Sequence, residues 1–180
     1  MQLHYYSGVG SRNTPPAVCE VIEQVAANLR DRGYILRSGR ADGADAAFEY
    51  AAGSKAHLYV PWGAFGSDRP LNGCPKVSVP NGYLLAEAMG MAADIHPAWD
   101  KVSGPGRLLH ARNCFQVLGD NLDTPSDLLI CYATPDKRSV KGGTRTAVEL
   151  AKKFDIPIYN LYFPNEEEDL MDFLEMPFVA

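Results

Sequence analysis

The segment HYYSGVGSRNTPPAVCEVIEQVAANLRDRG, residues 4–33, begins with an apolar and aromatic run that ends in a glycine-rich turn. Two prolines follow the turn and precede a helical pattern, whose apolar residues recur every three or four positions; they are Val18, Ile22, Val25 and Leu29. Gly33 then predicts the C-terminal end of the helix. The segment therefore predicts a strand, a glycine loop and a helix, in that order.

The same cycle recurs along the chain. Further strands are predicted in YILRSG (34–39), AHLYVPW (56–62), SDLLICYA (126–133) and IPIYNLYF (156–163), with helical patterns between them. Strands that alternate with helices indicate an α/β fold, an open parallel sheet of at least five strands covered by helices on both faces. We expect one domain over residues 1–180, with a long irregular insertion at about 61–105 that contains one helix in YLLAEAMGMAADI (83–95), and a final surface helix in NEEEDLMDFLE (165–175).

Length and composition narrow the class of protein. The chain has 180 residues, of which 46% are hydrophobic and 22% charged, so it can bury one sizeable core. Neither a signal-peptide pattern after Met1 nor an apolar run of about 20 residues occurs, which predicts a cytoplasmic protein that does not associate with membranes. The four cysteines are scattered, so we expect reduced thiols, no metal site and no cofactor.

The charge of the chain bears on its partners. A formal net charge of -5 and a pI near 5.3 disfavour broad capture of nucleic acid, because that affinity comes mainly from Lys and Arg. We therefore expect weak or no binding to nucleic acid. A small cationic cleft remains compatible with this total, since much of the negative charge lies in the acidic C-terminal segment.

Four loops follow predicted strands and carry the candidate ligand-binding residues. They are GVGSRNT (8–14), SGRADGAD (38–45), the long loop that starts with PWGAFGSDR (61–69) and TPDKRSVKGGTRT (134–146). Loops at the carboxyl ends of parallel strands meet at one sheet edge, where glycines and helix N-termini suit a phosphate. Their spacing matches neither GxGxxG nor GxxxxGK[ST], which disfavours a nicotinamide dehydrogenase or a P-loop ATPase. We therefore expect a nucleotide or phosphosugar ligand. The candidates in these loops are Gly8, Gly10, Ser11, Arg12, Ser38, Gly39, Asp42, Gly43, Asp45, Trp62, Gly142, Gly143, Thr144, Arg145 and Thr146.

Several of these side chains also have structural interpretations. Asp42 and Asp45 flank a predicted helix start, where one of them would serve as an N-cap and where either could accept ribose hydroxyls. The aromatic residues Trp62, Phe65, His96 and Trp99 would either pack the irregular region or stack on a base. The cations Lys137, Arg138 and Lys141 would either attract an anion or remain solvated.

Four motifs together resemble one superfamily. GVGSR (8–12), SGRADGAD (38–45), HARN (110–113) and GGTRTAVE (142–149) look like the ordered motifs of the SLOG superfamily, which joins DNA-processing protein A (DprA, or SMF) and the LOG phosphoribohydrolases. The resemblance extends over about residues 5–161 and is strongest to the DprA-like proteins that phages encode. It implies a Rossmann-like fold, and relatives that pair through helices imply a possible homo-oligomer.

The resemblance also implies roles for individual residues. On the GGxGTxxE pattern of the LOG enzymes, Glu149 matches the catalytic glutamate, and Arg145 stands where a glycine is expected. Arg112 matches the catalytic arginine, followed by Asn113 where that family has lysine. A carboxylate would stabilise the positive charge that develops on ribose during N-glycosidic cleavage of a nucleoside 5′-monophosphate. Two alternatives stay open: a non-catalytic nucleotide sensor or sequestering protein, and a DprA-like mediator that binds single-stranded DNA.

Overall fold

A computed structural model describes residues 3–137 and 139–177. Its centre is one six-stranded sheet in the order β4-β3-β2-β1-β5-β6, and every neighbouring pair of strands is parallel. This confirms the predicted parallel sheet. The strands are β1 (Tyr5–Gly10), β2 (Ile35–Ser38), β3 (Ala56–Tyr59), β4 (Lys76–Ser78), β5 (Leu128–Tyr132) and β6 (Ile158–Asn160).

The helices pack on both faces of the sheet, as predicted. They are α1 (Pro16–Asp31), α2 (Ala44–Ala52), α3 (Gly82–Ile95), α4 (Gly104–Leu118), α5 (Thr144–Lys153) and α6 (Pro164–Phe173). One apolar cluster joins α1, α2 and α6 to the sheet, and a second joins α3, α4 and α5 to it. Burial on both faces explains why Leu128, Leu129 and Ile130 are consecutive apolar residues. The chain is thus a Rossmann-like α/β domain.

Local signals account for the ends of α1 and for part of α6. In α1 the buried residues include Ile22, Val25 and Leu29, and the chain leaves the helix through Gly33, whose φ is +87°. The predicted surface helix at the acidic end of the chain forms as α6, but one side of it is not at the surface. Leu170 and Met171 are buried there, because the sheet needs an apolar cover beside β6.

The region predicted as irregular contains regular elements. The strand β4 pairs in parallel with β3 at the edge of the sheet, and α3 and a short 3-10 turn (Trp99–Lys101) follow it. The sequence does not signal β4, because it has three residues and its Lys76 and Val77 side chains are exposed. The loop before β4 is held to α2 by Arg69, which contacts the buried Glu49 carboxylate at 3.0 Å.

The order of the strands defines where a ligand crevice lies. The chain builds β1, β2, β3 and β4 outward in one direction and then returns to the other side of β1 for β5. Loops after β1 and β5 therefore leave the sheet in opposite directions, which opens a crevice at the carboxyl ends of these strands. The first residue of one loop still bridges to the other strand, since Ser11 N–H donates to the Tyr132 carbonyl at 2.9 Å.

Candidate functional site

A cavity of about 430 Å³ lies at this crevice, between the carboxyl ends of β1 and β5, the starts of α2 and α5, and one side of α4 from Gly106 to Gln116. Its volume is in the range of small-molecule sites. The predicted candidates that line it are Gly10, Ser11, Arg12, Asp45, Arg112, Asn113, Gly142, Gly143 and Thr144. Three of the four loops singled out in the sequence thus reach one cavity, while the Trp62–Arg69 loop does not line it.

Three predicted glycines support the site from outside the cavity. A Cβ at Gly39 would overlap the Arg112 guanidinium and the Gln116 amide, so the absence of a side chain there lets α4 approach β2. At Gly43, φ is +72° and a Cβ would overlap the Ser11 carbonyl. Gly8 lies lower, against the Phe48 ring. These residues position the loops.

Three cations line the cavity without forming an ion pair among the described residues. The side chains of Arg12, Arg112 and Lys141 line it, and none of them forms an ion pair with a described residue. Arg112 is buried, which lowers its pKa; Asp45 favours its charge and Arg12 opposes it. Its guanidinium donates to the Gly39 carbonyl. The cavity is therefore cationic, although the whole chain is acidic.

Asp45 is the one acidic residue among the described residues that line the cavity. Burial raises its pKa to about 6, although Arg112 and the N–H groups of Gly10, Gly39 and Ala41 favour the carboxylate. The expected N-cap role is wrong for both aspartates. The N-cap of α2 is Gly43, without a side-chain cap, while Asp45 lies in the first turn and Asp42 pairs with Arg69 at 3.1 Å.

Three residues at the start of α5 line the cavity and have free backbone N–H groups. The N–H groups of Gly142, Gly143 and Thr144 have no hydrogen-bond partner among the described residues. Gly142 has a φ of +74°, and a Cβ at either glycine would enter open space. Asn113 holds this turn from below, because its Nδ2 donates to the Gly143 carbonyl at 2.7 Å. Unpaired N–H groups at a helix start form a site for an anion.

The floor of the cavity contains a residue that the sequence analysis did not select. Gln116 is 1% exposed, and neither its Nε2 nor its Oε1 has a hydrogen-bond partner in the described residues. The Nε of Arg112 is unpaired as well. Gln116 follows Arg112 by four residues and so lies on the same helix face, a spacing that could have indicated it.

Glu149 and its neighbours in α5 lie outside the cavity lining. The Glu149 carboxylate accepts hydrogen bonds from the Ser139 hydroxyl and from Lys152 Nζ, the latter at 2.8 Å. Partial burial disfavours its charge, but these two donors outweigh burial and lower its pKa. Arg145 likewise turns back to the preceding loop, where it donates to the Val140 carbonyl and to Asp136.

Aromatic and imidazole rings pack together around His110. His110 lines the cavity, and its Nδ1 lies 2.7 Å from the buried Thr146 hydroxyl, so Thr146 contacts His110 instead of the cavity. The His96 ring is 4.8 Å from the His110 ring, and Trp99 packs on both. Trp62 packs edge-on against Phe65, away from the lining.

The remaining predictions about this region concern Ser38, Arg138 and the cysteines. Ser38 is buried and donates to the Gly8 carbonyl at 2.7 Å, which joins β1 to β2. Arg138 lies outside the described residues. None of the four cysteines forms a disulfide. In the described part of the chain, no helix combines the length and apolar character that crossing a bilayer requires.

The chain is a Rossmann-like α/β domain with a cavity lined by cations at its topological switch point. No model of a known protein family matches the chain, and no curated protein is significantly similar to it. Solved structures that share its fold include the following two, and at their low sequence identity the likeness concerns the fold alone.

One of the two is DNA processing protein A from Helicobacter pylori, a structure that describes single-stranded DNA binding by that protein. It has a TM-score of 0.51 and 17% identity, over 97% of this chain and 74% of that chain. The other is the Moco carrier protein of Chlamydomonas rheinhardtii, with a TM-score of 0.51 and 16% identity, over 96% of this chain and 85% of that chain.

Proposed function

We propose that the protein binds a phosphorylated small molecule, a nucleotide or a nucleotide-derived phosphosugar, in the cavity at the carboxyl ends of β1 and β5. The observation that carries this proposal is the convergence of unpaired donors. Arg12, Arg112 and Lys141 form no ion pair with a described residue, and the residues with free N–H groups at the start of α5 line the same cavity. Placing such groups together is unfavourable until an anion is bound, so their arrangement favours a phosphate ligand.

The α5 turn supplies the sharpest test. Valine at Gly143 would project into open space, so the fold should persist while the phosphate position is filled. We expect Gly143→Val to abolish binding of nucleoside 5′-monophosphates and of inorganic phosphate in titration calorimetry. The matched control is Gly90→Val, at an exposed glycine of α3 whose Cβ also meets open space. Equal affinity of the wild-type protein and the Gly143→Val variant would contradict the proposal.

Nucleic acid is the competing ligand for this surface. The structural neighbour from Helicobacter pylori binds single-stranded DNA, and the exposed Arg12 at the cavity would suit a backbone phosphate. The net charge of -5 opposes extended contact, so we expect weak binding to a labelled oligonucleotide at physiological salt. Sub-micromolar binding with a steep salt dependence would replace the small molecule with single-stranded nucleic acid.

Hydrolysis of an N-glycosidic bond is a second candidate function, and the position of Asp45 favours it. In that reaction water adds across the bond between the base and C1′ and releases the base and ribose 5-phosphate. A carboxylate near C1′ stabilises the developing positive charge, and Asp45 lies in the cavity. Glu149 would take this role only after leaving Ser139 and Lys152.

Chromatography of the released base separates these cases. Base release that is lost in Asp45→Asn and kept in Glu149→Gln assigns the reaction to Asp45, and the reverse result assigns it to Glu149 as in the LOG pattern. Binding of a monophosphate without any base release leaves a protein that senses or sequesters its ligand.

A further inference from the structure

The side chain of Gln116 is buried without a hydrogen-bond partner among the described residues. Its side chain is 1% exposed and lines the cavity, yet both polar atoms of the carboxamide lack a partner in the described residues. Burial of an unpaired amide is unfavourable, and a methionine or leucine of similar volume would avoid this cost. The backbone carbonyl of Gln116 accepts from the Ser7 hydroxyl at 2.8 Å, a bond that any side chain at this position would keep.

The surroundings of Gln116 also favour a ligand over a packing role. Gly39 has no side chain where one would overlap both Gln116 and Arg112, so the chain keeps room for these two polar side chains. The Nε of Arg112, equally buried, is unpaired beside the same cavity. Two unpaired donors, Gln116 Nε2 and Arg112 Nε, and one unpaired acceptor, Gln116 Oε1, thus lie together at the floor of the cavity. A single bound group could form hydrogen bonds with all three.

We propose that Gln116 selects the ligand by hydrogen bonding, from the cavity floor, to a group that presents a donor beside an acceptor. This inference rests on the proposed function, since the phosphate bound at α5 would hold the rest of the ligand over the floor. A carboxamide offers a fixed N–H beside a fixed C=O and pairs in a bidentate manner with a group of the same kind. Arg112 Nε adds a second donor to the acceptor of that group.

Two parts of a nucleotide carry this chemistry. The hydrogen-bonding edge of a base has an N–H next to an acceptor, and the 2′ and 3′ hydroxyls of ribose each donate and accept. A site built around buried hydrogen-bonding groups discriminates strongly against a ligand that lacks the complementary group, because the protein atoms are then left unpaired. Selectivity lost on substitution therefore reports which part of the ligand Gln116 contacts.

The test compares Gln116→Leu with the wild-type protein by titration calorimetry. The probes are the tightest-binding of the four common ribonucleoside 5′-monophosphates, its 2′-deoxy form, ribose 5-phosphate and inorganic phosphate. We expect at least ~10-fold weaker binding of the ribonucleotide by the variant and no change for inorganic phosphate. The matched control is Gln24→Leu on the exposed side of α1, where every affinity should stay unchanged.

The other ligands identify the contacted group. A similar loss for the 2′-deoxynucleotide, with ribose 5-phosphate unaffected, assigns Gln116 to the base edge. A loss for ribose 5-phosphate, with the 2′-deoxynucleotide unaffected, assigns it to the diol. In either case the unliganded Gln116→Leu variant should melt at the same or a higher temperature than the wild-type protein, because an unpaired buried amide has been removed.

The failure of this inference differs from the failure of the proposed function. Unchanged affinity of Gln116→Leu for all four ligands, or one equal loss that includes inorganic phosphate, would overturn the role of Gln116. The Gly143→Val result would stand in that event. Absence of binding of every ligand by the wild-type protein would contradict the proposed function and the selection by Gln116 together.

Discussion

Two groups of polar side chains, one lining the cavity and one around Asp120, differ in how far their polar atoms are paired. The cavity group contains three cations that form no ion pair with a described residue, the single carboxyl of Asp45 and the unpaired amide of Gln116. The Asp120 cluster consists of His57, Tyr59, Lys76, Ser78 and Asp120. Both are rich in groups typical of active sites, so residue type alone does not separate them.

The Asp120 cluster satisfies its own hydrogen-bonding groups. The His57 ring contacts the Tyr59 hydroxyl at 3.1 Å through Nδ1 and the Ser78 hydroxyl at 2.9 Å through Nε2. The two oxygens of Asp120 accept from Tyr59 and from Lys76 Nζ. Burial lowers the pKa of His57 to about 4, so the ring is neutral at physiological pH. A cluster that is paired in this way joins β3, β4 and the end of α4, whereas the cavity group awaits a ligand.

The largest expected effect comes from removing a cation from the unpaired group. Arg112→Met should weaken binding of a nucleoside 5′-monophosphate by about 10- to 150-fold, because a buried charged donor to a phosphate contributes about 1.5–3 kcal/mol. The variant also loses the hydrogen bond to the Gly39 carbonyl and the cation beside Asp45, so its free energy of unfolding is measured alongside and the affinities are compared under conditions where both proteins are folded. The control is Lys76→Met, which removes a cation from the paired group and should leave the affinity unchanged. Equal losses in the two variants, measured by calorimetry, would erase the distinction between the groups.

The sequence patterns predicted the sheet and the loops at its edge, but not the hydrogen-bond partners of individual side chains. The recurrence of apolar residues in α1 and the glycines after β1 sufficed for the parallel sheet and for the loops at its edge. The spacing of residues in the sequence did not predict which partner each side chain contacts. Glu149 matches the LOG pattern by position, yet Lys152 three residues later and Ser139 in the preceding turn bind its carboxylate.

Other site residues were hidden for identifiable reasons. Gln116 lies among the apolar residues of CFQVL, which a helical pattern assigns to packing, so its burial without a partner emerged only from the fold. Asp45 was considered as a cap because it stands near a helix start. The left-handed Gly43 instead begins α2, so the Asp45 carboxyl lies among the backbone N–H groups of the cavity.

A smaller effect is expected in the pH dependence of stability. The pKa of Asp45 is about 6 in the folded protein and near 3.8 in the unfolded chain, so the folded state binds more protons between these values. The contribution of Asp45 is therefore favourable below pH 3.8 and is lost as the pH rises through 6. Asp45→Asn should match the wild-type free energy of unfolding near pH 4 and exceed it by about 2–3 kcal/mol at pH 8.

Urea unfolding of both proteins at the two pH values measures this difference. If Asp45 instead forms a stabilising ion pair with the cations of the cavity, Asp45→Asn should be less stable than the wild-type protein at pH 8, because the variant loses that pair. A gain at pH 8 in the unliganded protein that shrinks when a monophosphate is bound would place Asp45 in contact with the ligand site.

The smallest effect concerns the paired group and distinguishes structure from binding. Tyr59→Phe removes the hydroxyl that joins His57 Nδ1 to Asp120 and leaves a buried ring nitrogen without this partner. We expect the free energy of unfolding to fall by about 1–2 kcal/mol, the usual cost of an unpaired buried group. The affinity for a nucleoside 5′-monophosphate should equal that of the wild-type protein, because the hydroxyl lies outside the cavity. Unchanged stability together with reduced affinity would mean that the Asp120 cluster belongs to the ligand site. In that case, the presence or absence of hydrogen-bond partners in the unliganded protein would not distinguish a structural cluster from a functional one.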